Sequence, residues 1–176
     1  MEILTRAWVG AAQTILEKLH AKTDVLFLVE GDASTYSTFG PLARTITSLD
    51  ENARVEIVAG VSSFHAAAAR LQIPLADTDD TVTVIPAGYG VPTIEHLLDN
   101  ADTLILLKVK PLLDNIIVLL ARRDLLEHSA FLERVGTPDE RIVRDVASLQ
   151  GTTVHYLSLL LVKNPQRERG KAPHGK

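Results

Sequence analysis

The sequence lacks cysteine and is poor in aromatic residues, and both shortages exclude classes of protein. Because none of the 176 residues is cysteine, disulfides, thiolate nucleophiles and cysteine-ligated zinc or iron–sulfur sites are excluded. Aromatic residues make up 5% of the chain. The chain has 18 Lys and Arg residues and 22 Asp and Glu residues, which gives a net charge of −4. Since nucleic-acid binding needs a basic face that neutralises phosphates, we predict no nucleic-acid partner.

Long apolar runs and a signal peptide are also missing. No apolar run reaches the roughly 18 residues of a membrane-spanning helix. The opening stretch MEILTRAWVG lacks the basic start and continuous apolar core of a secretory signal. We therefore predict a cytoplasmic protein without a membrane partner. The hydrophobic content of 46% and charged content of 23% are typical of a globular protein with a sizeable core.

Familiar catalytic and metal-binding motifs are absent as well. The six histidines form no HxxxH or HExxH pair, so we predict no metal site. The sequence contains no G-x-S-x-G hydrolase elbow, no Walker loop and no G-x-G-x-x-G of a dinucleotide fold. The catalytic residue therefore stays unknown at this point.

Residues 1–76 are predicted to form an α/β lobe in which helices alternate with strands. Two apolar runs, Val25–Val29 and Val55–Val58, predict strands, and apolar residues at helical spacing predict helices before, between and after them. The three predicted helices cover residues 7–20, Pro41–Ser48 and the alanine-rich stretch that begins at Ser62 or Ser63. That alternation is typical of parallel βαβ units.

Residues 77–163 are predicted to form a second lobe with a mixed sheet. The stretch IPLADTDD is typical of a solvated hinge between lobes. Beyond it, strands follow one another closely, which indicates antiparallel neighbours. The predicted strands are Thr81–Pro86, Thr103–Val109, Ala130–Val135, Arg141–Val143 and His155–Val162, with helices from Thr93 and over Leu112–Arg122. Residues 164–176 are polar, basic and proline-containing, and are predicted to be a disordered tail.

Two glycine-containing turns follow the predicted strands of the first lobe. One reads VEGDAS and the other AGVSS. In open parallel sheets, ligands bind at the carboxyl ends of the strands, where backbone N–H groups and hydroxyls are exposed. A small polar cofactor that carries a carboxylate and hydroxyls would suit Gly31, Ser34, Ser62 and Ser63. Ordinary loop geometry explains the same residues, and spacing does not decide between the two readings.

Four motifs, taken together, resemble the tetrapyrrole methylase family, in its precorrin-2 (cobalt-factor II) C20-methyltransferase branch. They are VEGDASTYSTF, AGVSSFHAAAARLQIPLA, ADTLILLKVKP and YLSLLLVK. They occur in the family's order, and the resemblance covers roughly residues 5–165. It implies methyl transfer from S-adenosylmethionine to a tetrapyrrole in cobalamin (corrin) biosynthesis, by a homodimer.

The resemblance also implies which residues bind the cofactor and the substrate. In the first lobe the cofactor would contact the two turns, and in the second lobe the ends of two strands. The implied cofactor residues are Gly31, Asp32, Ser34, Ser37, Ser62, Ser63, Leu107, Lys108, Leu157 and Ser158. Three cations, Lys108, Lys110 and Arg141, are the candidates for binding the ring carboxylates. The resemblance adds no general base.

Two departures from the family pattern affect what this chain is expected to do. Ala33 and Ala59 stand where the family has prolines, so both turns are less pre-organised. Family members also begin with a strand and a Gly-Pro-Gly turn about 70 residues before the point where this chain starts. The predicted fold is therefore α/β with a truncated parallel βαβ lobe, a mixed-sheet α/β lobe and a cofactor cleft between them.

These departures lead us to expect impaired activity and leave other functions open. The chain could be a non-catalytic S-adenosylmethionine-binding module or a structural fragment. It could also be a methylase for another corrin position, or for a non-tetrapyrrole substrate such as a diphthine precursor.

Overall fold

A computed structural model describes residues 2–167, with side chains from residue 6 onward. The chain forms two compact units, residues 1–62 and residues 63–176. The predicted disordered tail lies outside the described residues from residue 168 on. Among the described residues, no helix is long and apolar enough to cross a membrane.

The first unit is built on two packed helices, α1 (Glu2–His20) and α2 (Phe39–Leu49). Ala12 and Leu16 of α1 pack against Leu42 and Ile46 of α2, and all four side chains are buried. Each helix therefore presents the apolar stripe that its sequence spacing predicted.

Both strands predicted for the first unit are wrong. Val25–Val29 and Val55–Val58 are not β-strands, and no backbone hydrogen bond within residues 2–167 joins either segment to a neighbour. Leu26 and Leu28 are each 82% exposed. An apolar run favours a strand only where another strand lies about 4.8 Å away to complete the ladder. The described part of the chain supplies no such neighbour here.

The described part of the second unit, residues 63–167, contains one mixed sheet of five strands. The strands are β1 (Val82–Pro86), β2 (Thr103–Leu107), β3 (Ser129–Glu133), β4 (Arg141–Val143) and β5 (Ser158–Lys163). Their order in the sheet is β1-β2-β5-β3-β4. β1 and β2 are parallel, and the other three neighbouring pairs are antiparallel. The predicted mixed α/β fold class is therefore confirmed.

Helices cover both faces of this sheet. They are α3 (Ser63–Leu71), α4 (Val91–Leu98) and α5 (Leu113–Arg122), with short 3₁₀ turns at Ala87–Tyr89, Lys110–Leu112, Leu126–His128 and Val146–Leu149. Leu104 and Leu106 of β2 face the core formed with α4 and α5, whereas Ile105 and Leu107 face the core formed with α3. Strands buried on both faces have continuous apolar sequences, which is why TLILL and SLLLV do not alternate.

Three predicted strands extend beyond the observed ones at the same end of the sheet, where β2 and β3 end and β5 begins. At the opposite end, β1 begins one residue later than predicted. β3 ends at Glu133, before Arg134 with its positive φ of 51°. β2 ends at Leu107 because Lys108 has a positive φ of 56°, which is incompatible with extended backbone. β5 begins only at Ser158, because the ring Nδ1 of His155 accepts a hydrogen bond from Leu157 N and holds the preceding residues in a turn.

Candidate functional site

Asp32 organises the first of the two predicted cofactor turns. Its Oδ1 accepts hydrogen bonds from Ser34 N at 2.9 Å, from Thr35 Oγ1 at 3.2 Å and from Ser34 Oγ. Its Oδ2 accepts one from Gly60 N at 2.8 Å. The Ser34 hydroxyl first, and the Gly60 N–H next, lower the pKa of Asp32 to about 2, because both favour the charged form. Both carboxylate oxygens are thus engaged within the chain.

The second predicted turn lies against the first through Gly60. A Cβ at position 60 would overlap the carbonyl oxygen of Gly31 and would lie 3.2 Å from Asp32 Cα. Only glycine permits this approach of the two backbones. Gly31 itself has a φ of +79°, a conformation that L side chains rarely adopt. Sequence reasoning missed Gly60 as a site residue, although its place in AGVSS was a signal.

A cavity of about 570 Å³ borders the first turn on the side of α2. Ser34, Tyr36, Ser37 and Arg44 are among its lining residues. Tyr36 has a positive φ of 52°, and strain of this kind clusters at functional sites. The Ser37 hydroxyl accepts a hydrogen bond from Phe39 N at 3.0 Å, at the start of α2. Sequence reasoning missed Tyr36 and Arg44.

The structure places the two predicted serines of the second turn differently. Ser62 is buried, with 8% exposed, and belongs to the first unit. Ser63 is exposed and begins α3 in the second unit. One turn of the first unit contains Gly31, Asp32, Ser34 and Ser37. Gly60 is hydrogen-bonded to this turn through the Asp32 carboxylate.

In the second unit, the start of β5 lies between two residues with left-handed backbone. Lys108 follows β2 and Arg134 follows β3, with φ values of 56° and 51°. Lys108 N donates to Ser158 O and Arg134 N donates to Leu157 O, both at 2.9 Å. The structure therefore brings together all four residues predicted for this unit, Leu107, Lys108, Leu157 and Ser158. Arg134 was missed.

Ser158 carries a buried hydroxyl that lacks a hydrogen-bond partner among the described residues. Buried polar atoms are almost always paired. Beside Ser158, Tyr156 is 53% exposed and Leu157 is 47% exposed, and the Lys108 ammonium lies 5.9 Å from the centre of the Tyr156 ring. An unpaired hydroxyl next to exposed apolar surface fits a small ligand with both polar and aromatic parts.

The three predicted substrate cations differ in how they are engaged. Lys108 and Lys110 are exposed, and neither forms a salt bridge within residues 2–167. Arg141 Nη1 lies 3.2 Å from Oε1 of Glu133, whose side chain is only 11% exposed. Glu133 Oε2 also accepts a hydrogen bond from His155 N at 2.8 Å. Arg141 therefore already neutralises a nearly buried carboxylate, whereas the two lysines are available to an anion.

All three cations lie at the same end of the sheet. Leu107 pairs with Leu159 near the start of β5, and Glu133 pairs with both Ser158 and Arg141. β2 and β4 are separated by two strands, so Arg141 lies about 14 Å from the end of β2 at the usual strand spacing. Among the described residues, no group of three or more His, Asp or Glu is arranged to hold a metal ion.

Comparison with protein families gives a match to the model of the Tetrapyrrole (Corrin/Porphyrin) Methylases over residues 1–150. A probable cobalt-precorrin-2 C(20)-methyltransferase of Methanocaldococcus jannaschii is 30% identical over 170 residues, which are 94% of this chain and 69% of that protein. The cobalt-precorrin-2 C(20)-methyltransferase of Salmonella typhimurium is 31% identical over 156 residues, 88% of this chain and 65% of that protein. The resemblance stated from the four motifs is thereby confirmed.

Solved structures share the fold. A cobalt precorrin-4 methyltransferase from cobalamin biosynthesis, CbiF, has a TM-score of 0.66 and 25% identity over 87% of this chain and 69% of that one. A uroporphyrin-III C-methyl transferase from Thermus thermophilus, solved with S-adenosylhomocysteine, has a TM-score of 0.58 and 22% identity over 93% of this chain and 73% of that one. This chain thus spans about two thirds of the length of these four proteins.

Proposed function

Because the chain belongs to the tetrapyrrole methylase family, we propose that it serves methyl transfer from S-adenosylmethionine to C20 of precorrin-2 or cobalt-factor II. The proposal is supported by two relatives, a probable cobalt-precorrin-2 C(20)-methyltransferase and a cobalt-precorrin-2 C(20)-methyltransferase, which are 30% and 31% identical to this chain. The observation that carries the cofactor part of it is the buried, unpaired hydroxyl of Ser158, which lies beside exposed apolar surface.

S-adenosylmethionine supplies a methyl group on a positively charged sulfur. An electron-rich ring carbon would take this group while S-adenosylhomocysteine leaves, and the ring would release one proton to water, so that the charge balances. No covalent enzyme intermediate is required. The chain's contribution is therefore to hold two reactants in line and to exclude water, and well-oriented reactants can gain several kcal/mol in this way. This accounts for a site made of turns and hydroxyls, without a nucleophile of its own.

In the second unit, Ser158 and Leu157 are the residues that we assign to the cofactor. The Ser158 hydroxyl would donate to, or accept from, a polar atom of the nucleoside, which removes the cost of an unpaired buried group. Leu157, about half exposed, would cover one side of the adenine ring. Lys108 holds the end of β2 through its N–H to Ser158 O, so its backbone positions the ligand-binding serine.

In the first unit, we assign direct cofactor contact to Gly31 and Ser37 rather than to the Asp32 carboxylate. Both Asp32 oxygens are engaged by Ser34, Thr35 and Gly60. Asp32 would then act as a positioning residue that keeps the turn at Gly31 in place. Ser62 and Ser63 stay candidates at the end of the second turn.

For the substrate, we assign the ring carboxylates to Lys108 and Lys110. Both are exposed cations at the end of β2 that carries the cofactor residues. Arg141 is bound to Glu133, so its use by a substrate would leave a nearly buried carboxylate without its ion-pair partner, at a cost of about 1–3 kcal/mol.

The unpaired segments of the first unit favour a low activity of this chain on its own. Val25–Val29 and Val55–Val58 lead directly into the two turns and form no ladder within residues 2–167. A turn that extends from an unsupported segment is less well fixed, and a displacement of about 1 Å in a methyl donor can cost about 100-fold in rate.

The test combines calorimetry with S-adenosylhomocysteine and a transfer assay that uses a ¹³C-labelled methyl group, with precorrin-2 and cobalt-factor II as acceptors. We expect weak cofactor binding and slow labelling at C20. Labelling at another ring carbon would favour a methylase for a different corrin position. Absence of any cofactor binding by a folded chain would contradict the proposal and leave the structural-fragment alternative.

A further inference from the structure

The turn that leads into β5 is held by several backbone hydrogen bonds. We call residues 155–158 the β5 turn. Ser158 N donates to Tyr156 O at 2.9 Å, and the carbonyls of Leu157 and Ser158 each accept at 2.9 Å from the N–H of a residue that follows β2 or β3. Because Leu157 and Ser158 are also the residues assigned to the cofactor, the conformation of the β5 turn decides where that ligand can bind.

A further hydrogen bond of the β5 turn comes from a side chain, the ring of His155. Its Nδ1 accepts from Leu157 N at 3.1 Å. The sheet does not supply this acceptor, because β5 pairs with β3 only from Ser158 onward and with β2 only from Leu159 onward. The ring therefore takes the place of a strand partner for one backbone N–H.

This hydrogen bond defines the protonation state of the ring. A backbone N–H can only donate, so Nδ1 has to be unprotonated and the single ring proton lies on Nε2. An imidazolium carries a proton on both nitrogens and has no acceptor. The observed conformation of the β5 turn thus belongs to the neutral form of His155.

Glu133 fixes the backbone from which the ring extends. Its Oε2 accepts a hydrogen bond from His155 N at 2.8 Å, and its side chain is only 11% exposed. The charged groups that the neighbouring strands and the loops after them bring to the β5 turn or to its anchors are Glu133, Arg141, Lys108, Arg134 and Asp139. None of these is a histidine, the residue type whose charge changes between about pH 5 and pH 8.

We propose that His155 is a positioning residue of the cofactor site: its neutral ring holds Leu157 and Ser158 in the geometry that binds S-adenosylmethionine, and protonation of the ring weakens that binding. The inference rests on the proposed cofactor role of Leu157 and Ser158, and it assigns no ligand contact to His155 itself. After protonation, Nδ1–H and Leu157 N–H would be two donors facing each other, so the ring has to turn away. Because the ligand needs the closed β5 turn, its affinity falls by the effect of one hydrogen bond, about fivefold.

The test measures the affinity for S-adenosylhomocysteine by calorimetry between about pH 8 and about pH 5.5, a range in which imidazoles gain a proton. We expect the wild-type affinity to fall by about fivefold towards the lower pH. His155→Asn is the conservative variant, since an asparagine carbonyl can accept from the N–H two residues later and does not titrate. It should bind as wild type does at the higher pH and keep that affinity at the lower one. His155→Ala should bind about fivefold more weakly than wild type at the higher pH.

His128→Asn is the matched control for the loss of a histidine. His128 is exposed and lies just before β3, at the end of the sheet away from the β5 turn, because Ser129 pairs with Val162. This variant should keep the wild-type pH profile. A wild-type profile in His155→Asn, or wild-type affinity of His155→Ala at the higher pH, would overturn the positioning role.

Amide hydrogen exchange of Leu157 gives a second readout that needs no ligand. At a fixed pH, this amide should exchange about fivefold faster in His155→Ala than in His155→Asn, because only the asparagine replaces the acceptor. If neither wild type nor any variant binds S-adenosylhomocysteine at any pH, the proposed function fails, and the exchange of Leu157 still decides whether His155 holds the β5 turn. Equal exchange in the two variants would overturn the inference by itself.

Discussion

The N–H of Gly60 donates a 2.8 Å hydrogen bond to Oδ2 of Asp32, which lies 28 residues earlier in the chain. The bond joins the turns VEGDAS and AGVSS, which the sequence motifs identified one by one without predicting this contact. Since the same Gly60 backbone also lies against the Gly31 carbonyl, a change in either turn is expected to displace the other.

Replacing Gly60 with alanine should therefore disturb both turns. A Cβ there overlaps Gly31 O, and overpacking of this kind costs about 1–3 kcal/mol. The matched control is Gly10→Ala, because nothing lies within 4 Å of a Cβ at Gly10 in the exposed part of α1. That control should stabilise the chain by up to about 1 kcal/mol. Urea unfolding checks both, and equal stability of the two variants would contradict the close approach.

Asp32→Asn should remove a pH-dependent part of the stability. The folded-state pKa of Asp32 is lowered to about 2 from 3.8, chiefly by the Ser34 hydroxyl and then by Gly60 N–H. A lowered pKa means that the carboxylate's contribution is complete above about pH 4 and is lost as pH falls towards 2. The stability difference between wild type and variant should shrink over that window. A difference that stays constant between pH 5 and pH 2 in urea titrations would rule this out.

Ser158→Ala should separate ligand binding from folding. The Ser158 hydroxyl is buried and unpaired among the described residues, so its loss should leave stability unchanged or raise it by about 1 kcal/mol. Binding of S-adenosylhomocysteine should weaken by about fivefold, the effect of one hydrogen bond of about 1 kcal/mol.

The matched control for that prediction is Ser129→Ala. Ser129 is also buried, but its hydroxyl donates to Leu125 O at 2.7 Å. We expect it to lose about 1 kcal/mol of stability with unchanged ligand affinity. If calorimetry finds the same affinity for both variants, Ser158 does not contact the cofactor.

Lys110→Gln should affect binding of the tetrapyrrole, whereas Arg141→Gln should affect the stability of the fold. The exposed Lys110 makes no salt bridge within residues 2–167, so its loss should raise KM for the tetrapyrrole several-fold without a change in stability. Loss of Arg141 should destabilise the chain by about 1–3 kcal/mol, because Glu133 is then left without its ion-pair partner. Thermal unfolding and steady-state kinetics measure the two effects. A tetrapyrrole KM unaffected by Lys110→Gln would remove that lysine from the substrate site.

The second unit could be predicted from the sequence almost element by element. β4 lies at Arg141–Val143 as predicted, and α5 begins one residue later than predicted, at Leu113. Continuous apolar runs and a helical apolar stripe are local features of the sequence. They therefore predict strands and helices without knowledge of which residues meet in the fold. The mixed sheet followed from the close spacing of the strands.

The first unit and the roles of single side chains could not be predicted in the same way. Val25–Val29 has the composition of a strand. A strand forms only where a neighbouring strand accepts and donates its backbone hydrogen bonds, and the composition of a segment does not show whether such a neighbour exists. The engagement of Asp32 by Gly60 and of Arg141 by Glu133 depends on residues that meet only in the folded chain. The predicted site residues, the homodimer and the cytoplasmic location stay predictions.

The position of β5 has a consequence for how the protein is made. β5 is the last strand along residues 2–167 but lies in the middle of the sheet, between β2 and β3. During synthesis, β3 is finished 25 residues before β5 begins, a delay of about 1–5 s at usual rates of elongation. Throughout that interval β2 and β3 carry apolar edges with nothing between them. A premature stop before Ser158 would therefore leave an aggregation-prone product rather than a shorter enzyme.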